Sequence, residues 1–192
     1  MPTPRYPRRP PRLPTVFDTY RHAPVYFVSF CTYQRNPWLA RPNLHAAFLA
    51  FIQRGWQEHR IAVGRYVIMP DHIHLLVSGG PAFNVGDWVK LLKECLGKAI
   101  RASHSPDLGI GVKDEATTAR RAPHRGAATP DTATPGSANR LWQEGFFDHL
   151  IRSDEKLGSI WEYLRQNPQT AGLTEAPEDW PYQGEFMVLD RA

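Results

Sequence analysis

The chain has 192 residues, enough for one domain with a substantial hydrophobic core. Hydrophobic residues make up 42% of it, which is ordinary for a globular protein and excludes a wholly disordered chain. The 23 Lys and Arg residues outnumber the 19 Asp and Glu residues, so the net charge is +4, which is compatible with a nucleic-acid partner without establishing one. Two cysteines are too few for a disulfide framework and favour a reducing, cytoplasmic compartment.

Residues 1–20 form an arm rich in Pro and Arg, which we expect to be extended or flexible because it has too little apolar surface to fold alone. The arm is either a solvated tail or a segment that touches phosphates. Its positive charge is not followed by an apolar stretch, so we do not interpret it as a signal peptide. Since apolar residues nowhere run together for about 18 positions, we expect no membrane span.

The first half of the body alternates strand and helix patterns. Residues 24–33 are dense in β-branched and aromatic side chains, which predicts a strand. Apolar residues then recur at helical spacing from Leu44 to about Glu58. Residues 61–69 and 72–77 predict two more strands, and the Pro-Asp turn between them indicates a hairpin.

The second half predicts helix, insertion, strand and helix in that order. Asn84 is a suitable N-cap for a helix with an apolar stripe. Residues 103–139, rich in Ala, Thr, Pro, Gly and Arg without apolar periodicity, are interpreted as a flexible insertion. Residues 141–151 predict a fourth strand, and the last helix begins at Ser153 and ends near Asn167, before Pro168.

This order of elements predicts an α+β fold of the ferredoxin-like split βαββαβ type. Its antiparallel sheet would have two helices on one face and leave the other face free, with the final helix added at the C-terminus. We assign residues 21–175 to this domain and residues 176–192 to a C-terminal tail. The fold alone does not indicate a function.

His72 and His74 are separated by one residue, so on a strand their side chains leave the same face. Such a pair can hold one cation from one side, and imidazole is a good ligand for divalent metals. Two core histidines bonded to carbonyl groups would give the same pattern, so both interpretations remain open for the pair alone.

Tyr163 and Asn167 lie four residues apart and therefore share one face of the last helix, at the edge of its apolar stripe. A tyrosine beside a metal-bound phosphate could attack it, and an amide oxygen could complete a site for Mg²⁺ or Mn²⁺. Each residue alone is more typical of packing or of a helix end. The combination with the histidines is what indicates chemistry.

Three motifs together resemble a known family, the REP-associated tyrosine transposases, which are single-tyrosine members of the HUH (His-hydrophobic-His) transposases of the insertion-sequence type. The resemblance spans residues 22–175, and the motifs stand in the order typical of that family. They are Tyr66-Val-Ile-Met-Pro-Asp-His-Ile-His-Leu-Leu76, Phe146-Phe-Asp-His-Leu-Ile-Arg152 and Glu162-Tyr-Leu-Arg-Gln-Asn-Pro-Gln-Thr-Ala-Gly-Leu173.

The resemblance implies a bacterial enzyme that cuts and rejoins single-stranded DNA beside hairpins or imperfect palindromes. It implies a divalent metal, Mg²⁺ or Mn²⁺, held by His72, His74 and Asn167. Tyr163 would be the nucleophile that forms a 5′-phosphotyrosine bond. Members act as monomers or as homodimers, and both are open for this chain.

This chain departs from the family in two places. The turn before the histidines reads Met-Pro-Asp where Met-Pro-Asn is usual, and the 103–139 insertion is unusually long. We expect DNA contacts from the basic flank of the second helix and from the insertion, or else a solvated basic surface. The residues concerned are Lys90, Lys93, Arg101, Arg120 and Arg121.

Two alternatives to the tyrosine transposase remain at this stage. One is a metal-dependent nuclease in which water attacks the phosphate in place of Tyr163. The other is a nucleic-acid-binding module without catalytic activity.

Overall fold

The structure is a computed structural model and describes residues 23–104, 140–151 and 154–189. The N-terminal arm lies outside these ranges, as does nearly all of the predicted insertion. Arg120 and Arg121 are therefore outside the described residues, and their predicted DNA contacts stay predictions.

A five-stranded antiparallel sheet forms the centre of the described residues, in the order β4-β1-β3-β2-β5. The β2–β3 hairpin is the one predicted from the Pro-Asp turn, with a register irregularity between Val63 and Tyr66. The strands are β1 (Val25–Cys31), β2 (Ala62–Ile68), β3 (His72–Ser78), β4 (Phe147–Ile151) and β5 (Gln183–Glu185).

Two helices cover one face of this sheet, α1 (Pro42–His59) and α2 (Val85–His104). Their apolar stripes join alternate residues of the central strands in one core cluster, in which Phe48 of α1 and Leu92 of α2 are fully buried. The Asn84 side chain accepts hydrogen bonds from the amides of Gly86 and Asp87, as an N-cap does. The predicted mixed fold with an antiparallel sheet is confirmed.

The opposite face, predicted to be free, is partly covered by α3 (Asp154–Thr170). Leu164 of α3 is fully buried against Val67 of β2 and Leu76 of β3 in a second, smaller cluster. The prediction of a free face was wrong because the last helix turns back onto the sheet and does not project away from it.

The structure also differs from the sequence predictions at three places. The fourth strand begins at Phe147, not 141, because Gly145 adopts a left-handed conformation (φ 72°) that interrupts it. Helix α3 continues to Thr170 with Pro168 inside it and ends in a left-handed Gly172 (φ 70°). The predicted tail contains β5, which pairs with β2.

Candidate active site on the histidine strand

His72 and His74 lie on the same face of β3, as their spacing predicted, and this is the face that α3 covers. Their ring centroids are 4.6 Å apart and the ring planes meet at 78°. Strand β1 runs beside them, with Cys31 opposite His72 and Ser29 opposite His74. The site is therefore held at the centre of the sheet, where neighbouring strands fix the backbone.

Asp71 holds the ring of His72. The Nδ1 atom of His72 lies 2.6 Å from Oδ1 of Asp71, and Nε of Arg35 lies 3.2 Å from Oδ2 of the same carboxylate. Burial alone would raise the pKa of Asp71, but its hydrogen bond with His72 and the charges of His72 and Arg35 outweigh burial and lower that pKa.

His74 is buried, with 7% of its surface exposed, and stacks on Phe27 at 5.5 Å between ring centroids. Burial, followed by the charges of His72 and Arg35, lowers the pKa of His74 to about 3. His74 is therefore a neutral imidazole near neutral pH, which is the form that binds metals. Its Nδ1 atom is buried without a hydrogen-bond partner among the described residues.

Tyr163 reaches this histidine from α3. Its hydroxyl oxygen lies 3.4 Å from Nε2 of His74, and the two ring centroids are 5.5 Å apart. The side chain is 50% exposed, whereas Leu164 beside it is fully buried. Tyr163 thus stands at the edge of the packed surface, open to solvent on one side and close to His74 on the other.

Asn167 lies one helical turn beyond Tyr163 and is half-buried. Within the described part of the chain, its side chain makes no hydrogen bond or ring contact with either histidine. The structure therefore joins Tyr163 to His74 directly and leaves the ligand role of Asn167 as a prediction.

The residues at this site fit a divalent cation by the chemistry of their donor atoms. His74 supplies a neutral imidazole, and His72 has Nδ1 engaged by Asp71, which leaves Nε2 as its donor. Across the described ranges, His, Cys, Asp and Glu side chains do not gather in a group of three or more that could hold a metal. A cation here would therefore need oxygen ligands from other sources, such as Asn167 or a phosphate.

A groove of about 650 Å³ lies between α2 and residues 141–146. Lys90, Lys98 and Arg101 line it together with the aromatic rings of Trp142 and Phe146. Cationic side chains beside aromatic rings suit phosphates and unstacked bases. This arrangement agrees with the predicted basic flank of α2.

Lys93, also predicted to contact DNA, is engaged within the protein. Its ammonium group donates to the carbonyl oxygens of Gln143 (3.4 Å) and Gly145 (2.5 Å) and lies 5.3 Å from the centroid of the Phe30 ring. Burial lowers the pKa of Lys93. Its DNA contact stays a prediction, but its contacts in the structure tie α2 to residues 143–145.

Sequence reasoning missed three residues that touch the histidines or support them. Asp71 precedes His72 directly, so adjacency could have indicated it. Phe27 and Arg35 gave no local signal, because their places depend on the pairing of β1 with β3 and on the turn after β1.

Part of this chain is similar to known transposases. Residues 21–108, which include both histidines but not Tyr163, match the family described as IS200-like transposases. A Haemophilus influenzae protein named as a REP-associated tyrosine transposase is 30% identical over 115 residues, covering 60% of this chain and 53% of that protein. The chain thus spans about half the length of this relative. A second, uncharacterized protein of that organism is 19% identical over 163 residues, covering 78% of this chain and 82% of that protein.

A solved structure of a REP-associated tyrosine transposase bound to a REP hairpin has a similar fold. Its TM-score is 0.56 at 14% identity, and the match covers 83% of this chain and 75% of that one. At 14% identity, this structural similarity supports the fold alone. With the motifs, the family match and the fold in agreement, the resemblance of this chain to the REP-associated tyrosine transposases is confirmed, and residues 21–108 are similar to the IS200-like transposases.

Proposed function

We propose that this protein is a metal-dependent transposase or nickase that cuts and rejoins single-stranded DNA beside hairpins through a 5′-phosphotyrosine intermediate. The observation that carries the proposal is the 3.4 Å distance between the Tyr163 hydroxyl and Nε2 of His74 in one chain. Tyr163 is half exposed beside the histidine pair, so its hydroxyl group is accessible from solvent.

The proposed step is a transesterification. The Tyr163 oxygen forms a bond to the phosphorus of the scissile phosphate, and the bond from phosphorus to the 3′ oxygen breaks. The phenol loses its proton and the departing 3′ oxygen gains one, which leaves a free 3′-hydroxyl and a 5′-phosphotyrosine. Because one phosphodiester replaces another, the 3′-hydroxyl of the same or a different strand can reverse the step and join DNA.

His72, His74 and Asn167 would hold the divalent cation, Mg²⁺ or Mn²⁺. When bound, such a cation supplies Lewis-acid stabilisation of the charge that develops on the phosphate oxygens. The protein itself contributes the relative positions of the reacting groups. The sheet fixes the imidazoles, and α3 presents the phenol beside them.

Hairpin DNA is the proposed substrate because the similar solved transposase is described as bound to a REP hairpin. On this chain, the groove lined by Lys90, Lys98, Arg101, Trp142 and Phe146 supports DNA binding by its charge and its aromatic surface. A cytoplasmic location would agree with this role, because the proposed substrate is chromosomal DNA.

Among the described residues, no helix is long and apolar enough to cross a bilayer.

The decisive test compares Tyr163→Phe with His74→Ala on single-stranded DNA that carries hairpins from the flanks of the gene, with Mn²⁺ present. Wild type should cut the strand and form a covalent protein–DNA adduct on a denaturing gel. Both variants should lose cleavage and adduct by at least about 100-fold, as expected when a nucleophile or a metal ligand is removed. Hairpin binding, measured by mobility shift, should stay within a few-fold of wild type.

Other outcomes would point elsewhere. Cleavage by Tyr163→Phe without an adduct would mean that water attacks the phosphate. Hairpin binding without any cleavage by wild type in Mn²⁺ or Mg²⁺ would indicate a binding module.

A further inference from the structure

Arg35, Asp71 and His72 form a chain of contacts to which the proposed chemistry assigns no role. The resemblance predicts an asparagine at the position of Asp71, and an aspartate stands there. Its carboxylate is 2.6 Å from Nδ1 of His72 on one side and 3.2 Å from Nε of Arg35 on the other. A charged oxygen on an imidazole nitrogen fixes the ring's orientation and its tautomer.

The backbone holds Asp71 independently of its side chain. The carbonyl oxygen of Asp71 accepts a hydrogen bond from the Thr32 amide at 2.9 Å, and the Thr32 hydroxyl lies 3.1 Å from the same oxygen. Thr32 is fully buried. Removal of the carboxylate would therefore leave the turn before β3 anchored.

The turn after β1, which carries Arg35, has an unusual backbone conformation. Gln34 and Arg35 both have left-handed backbone conformations, with φ of 53° and 58°, although neither is a glycine. This conformation costs about 1 kcal/mol or more per residue and needs support from its surroundings. The support comes from Asn36, whose side chain donates to the Tyr33 carbonyl and whose own carbonyl lies 2.8 Å from the Thr32 hydroxyl.

The guanidinium of Arg35 is thereby held between two groups of this site. It contacts the Asp71 carboxylate and donates to Sγ of Cys31 at 2.8 Å. Cys31 is the residue opposite His72 in the pairing of β1 with β3. The turn after β1 thus places the arginine against the aspartate that contacts the His72 ring.

We propose that Asp71, braced by Arg35, is a positioning residue that orients His72, holding the proton on Nδ1 so that Nε2 is free to bind a divalent cation. This inference rests on the proposed metal site, and it gives the aspartate that replaces the usual asparagine a function. Carboxylate–histidine pairs of this kind typically raise metal affinity by about 10–100-fold.

The test measures Mn²⁺ affinity by calorimetry on the full chain, without DNA, for wild type, Asp71→Ala, Asp71→Asn and His72→Ala. Asp71→Ala should weaken binding by about 10–100-fold. Asp71→Asn should lie between Asp71→Ala and wild type, because an amide oxygen still accepts from Nδ1 but carries no charge. Both Asp71 variants should still fold, because the anchoring carbonyl is retained, with a modest loss of thermal stability from the lost contacts of the carboxylate.

A second readout needs no metal. Nitrogen-15 spectra of the imidazole rings should show the Nδ1–H tautomer of His72 in wild type and its loss in Asp71→Ala. Affinity and tautomer both unchanged in Asp71→Ala would overturn the positioning role while leaving the metal site intact. Equal affinity of His72→Ala and wild type would instead refute the metal site of the proposed function, and the positioning role with it.

Discussion

At the scale of single residues, the packing of the site includes Phe27, an aromatic side chain with no proposed role in the reaction. Phe27 stacks on His74 and meets the rings of Tyr163 and Phe147 edge-on, at 6.3 and 6.0 Å between centroids. It is partly buried and packs against the second core cluster. Phe27 thus contacts both the imidazole of His74 and the phenol of Tyr163.

Phe27→Ala should therefore impair cleavage more than it impairs folding. We expect a loss of about 3 kcal/mol in the free energy of unfolding, the low end for Phe→Ala, because Phe27 is only partly buried. Cleavage should fall by at least about tenfold, since small displacements of reacting groups are costly. Denaturant unfolding and adduct formation measure the two effects.

Phe48→Ala is the control, because Phe48 is fully buried in the other cluster, away from the histidines. It should destabilise the protein at least as much and leave cleavage by the folded fraction near wild type. Equal losses of cleavage in the two variants would show that Phe27 acts through stability alone.

At the scale of elements, the position of α3 depends on contacts with β2 and with the segment that follows the helix. Arg165 pairs with Glu178 of that segment, and the Arg65 guanidinium of β2 lies 4.4 Å from the centroid of the Trp161 ring. The Trp180 indole donates to the carbonyl of Ile68 at 3.0 Å, so the segment after the helix is bound to β2. These contacts hold Tyr163 against the sheet.

The end of α3 gives a sharp test, because Gly172 has a left-handed φ of 70° and a Cβ there would meet no atom within 4 Å. The amide of Gly172 donates to the Gln169 carbonyl, and the amide of Leu173 donates to the Pro168 carbonyl, as in a Schellman motif. Gly172→Ala should therefore cost about 1 kcal/mol of unfolding free energy through the backbone alone.

Gly158→Ala is the matched control within the same helix. A Cβ at Gly158 would also meet no atom within 4 Å, but its backbone is helical, so alanine should stabilise by about 0.5–1 kcal/mol. Denaturant unfolding should thus give shifts of opposite sign for one chemical change. Shifts of equal sign would contradict the helix end described here.

What the sequence could predict follows from how local each signal is. The shared face of His72 and His74 needs only the alternation of a strand, and the hairpin needs only its turn, so both were predicted. The packing of α3 on the sheet and the pairing of β5 with β2 depend on long-range contacts that no local pattern contains. For the same reason Phe27 and Arg35 were not predicted as part of the site.

At the scale of the whole molecule, the proposed active site and the basic groove lie on different faces of the sheet. The histidines and Tyr163 lie on the face that α3 covers, whereas the basic groove lies beside α2, which packs on the other face. Binding and cutting should therefore be separable by mutation. Two of the three lysines of α2 line this groove in different ways: Lys90 is exposed, whereas Lys93 is hydrogen-bonded within the protein.

Lys90→Ala should weaken binding of hairpin DNA without changing stability. If Lys90 contacts one phosphate, the slope of log affinity against log salt should become shallower by about 0.7–0.9. Lys93→Ala should instead lower the free energy of unfolding by about 1 kcal/mol, because it loses hydrogen bonds to Gln143 and Gly145. Titrations at several salt concentrations and denaturant unfolding distinguish the two. An unchanged salt slope for Lys90→Ala would remove it from the DNA interface.

The closeness of the phenol to His74 within one polypeptide has a genetic consequence. If each chain uses its own Tyr163 and its own His74, two inactive variants cannot complement each other. A mixture of Tyr163→Phe and His74→Ala proteins should therefore regain no adduct formation. Recovery of about a quarter to a half of wild-type activity would instead reveal exchange of helices between subunits. Without such exchange, a defective copy made beside an intact one would be recessive and would interfere only by occupying hairpins.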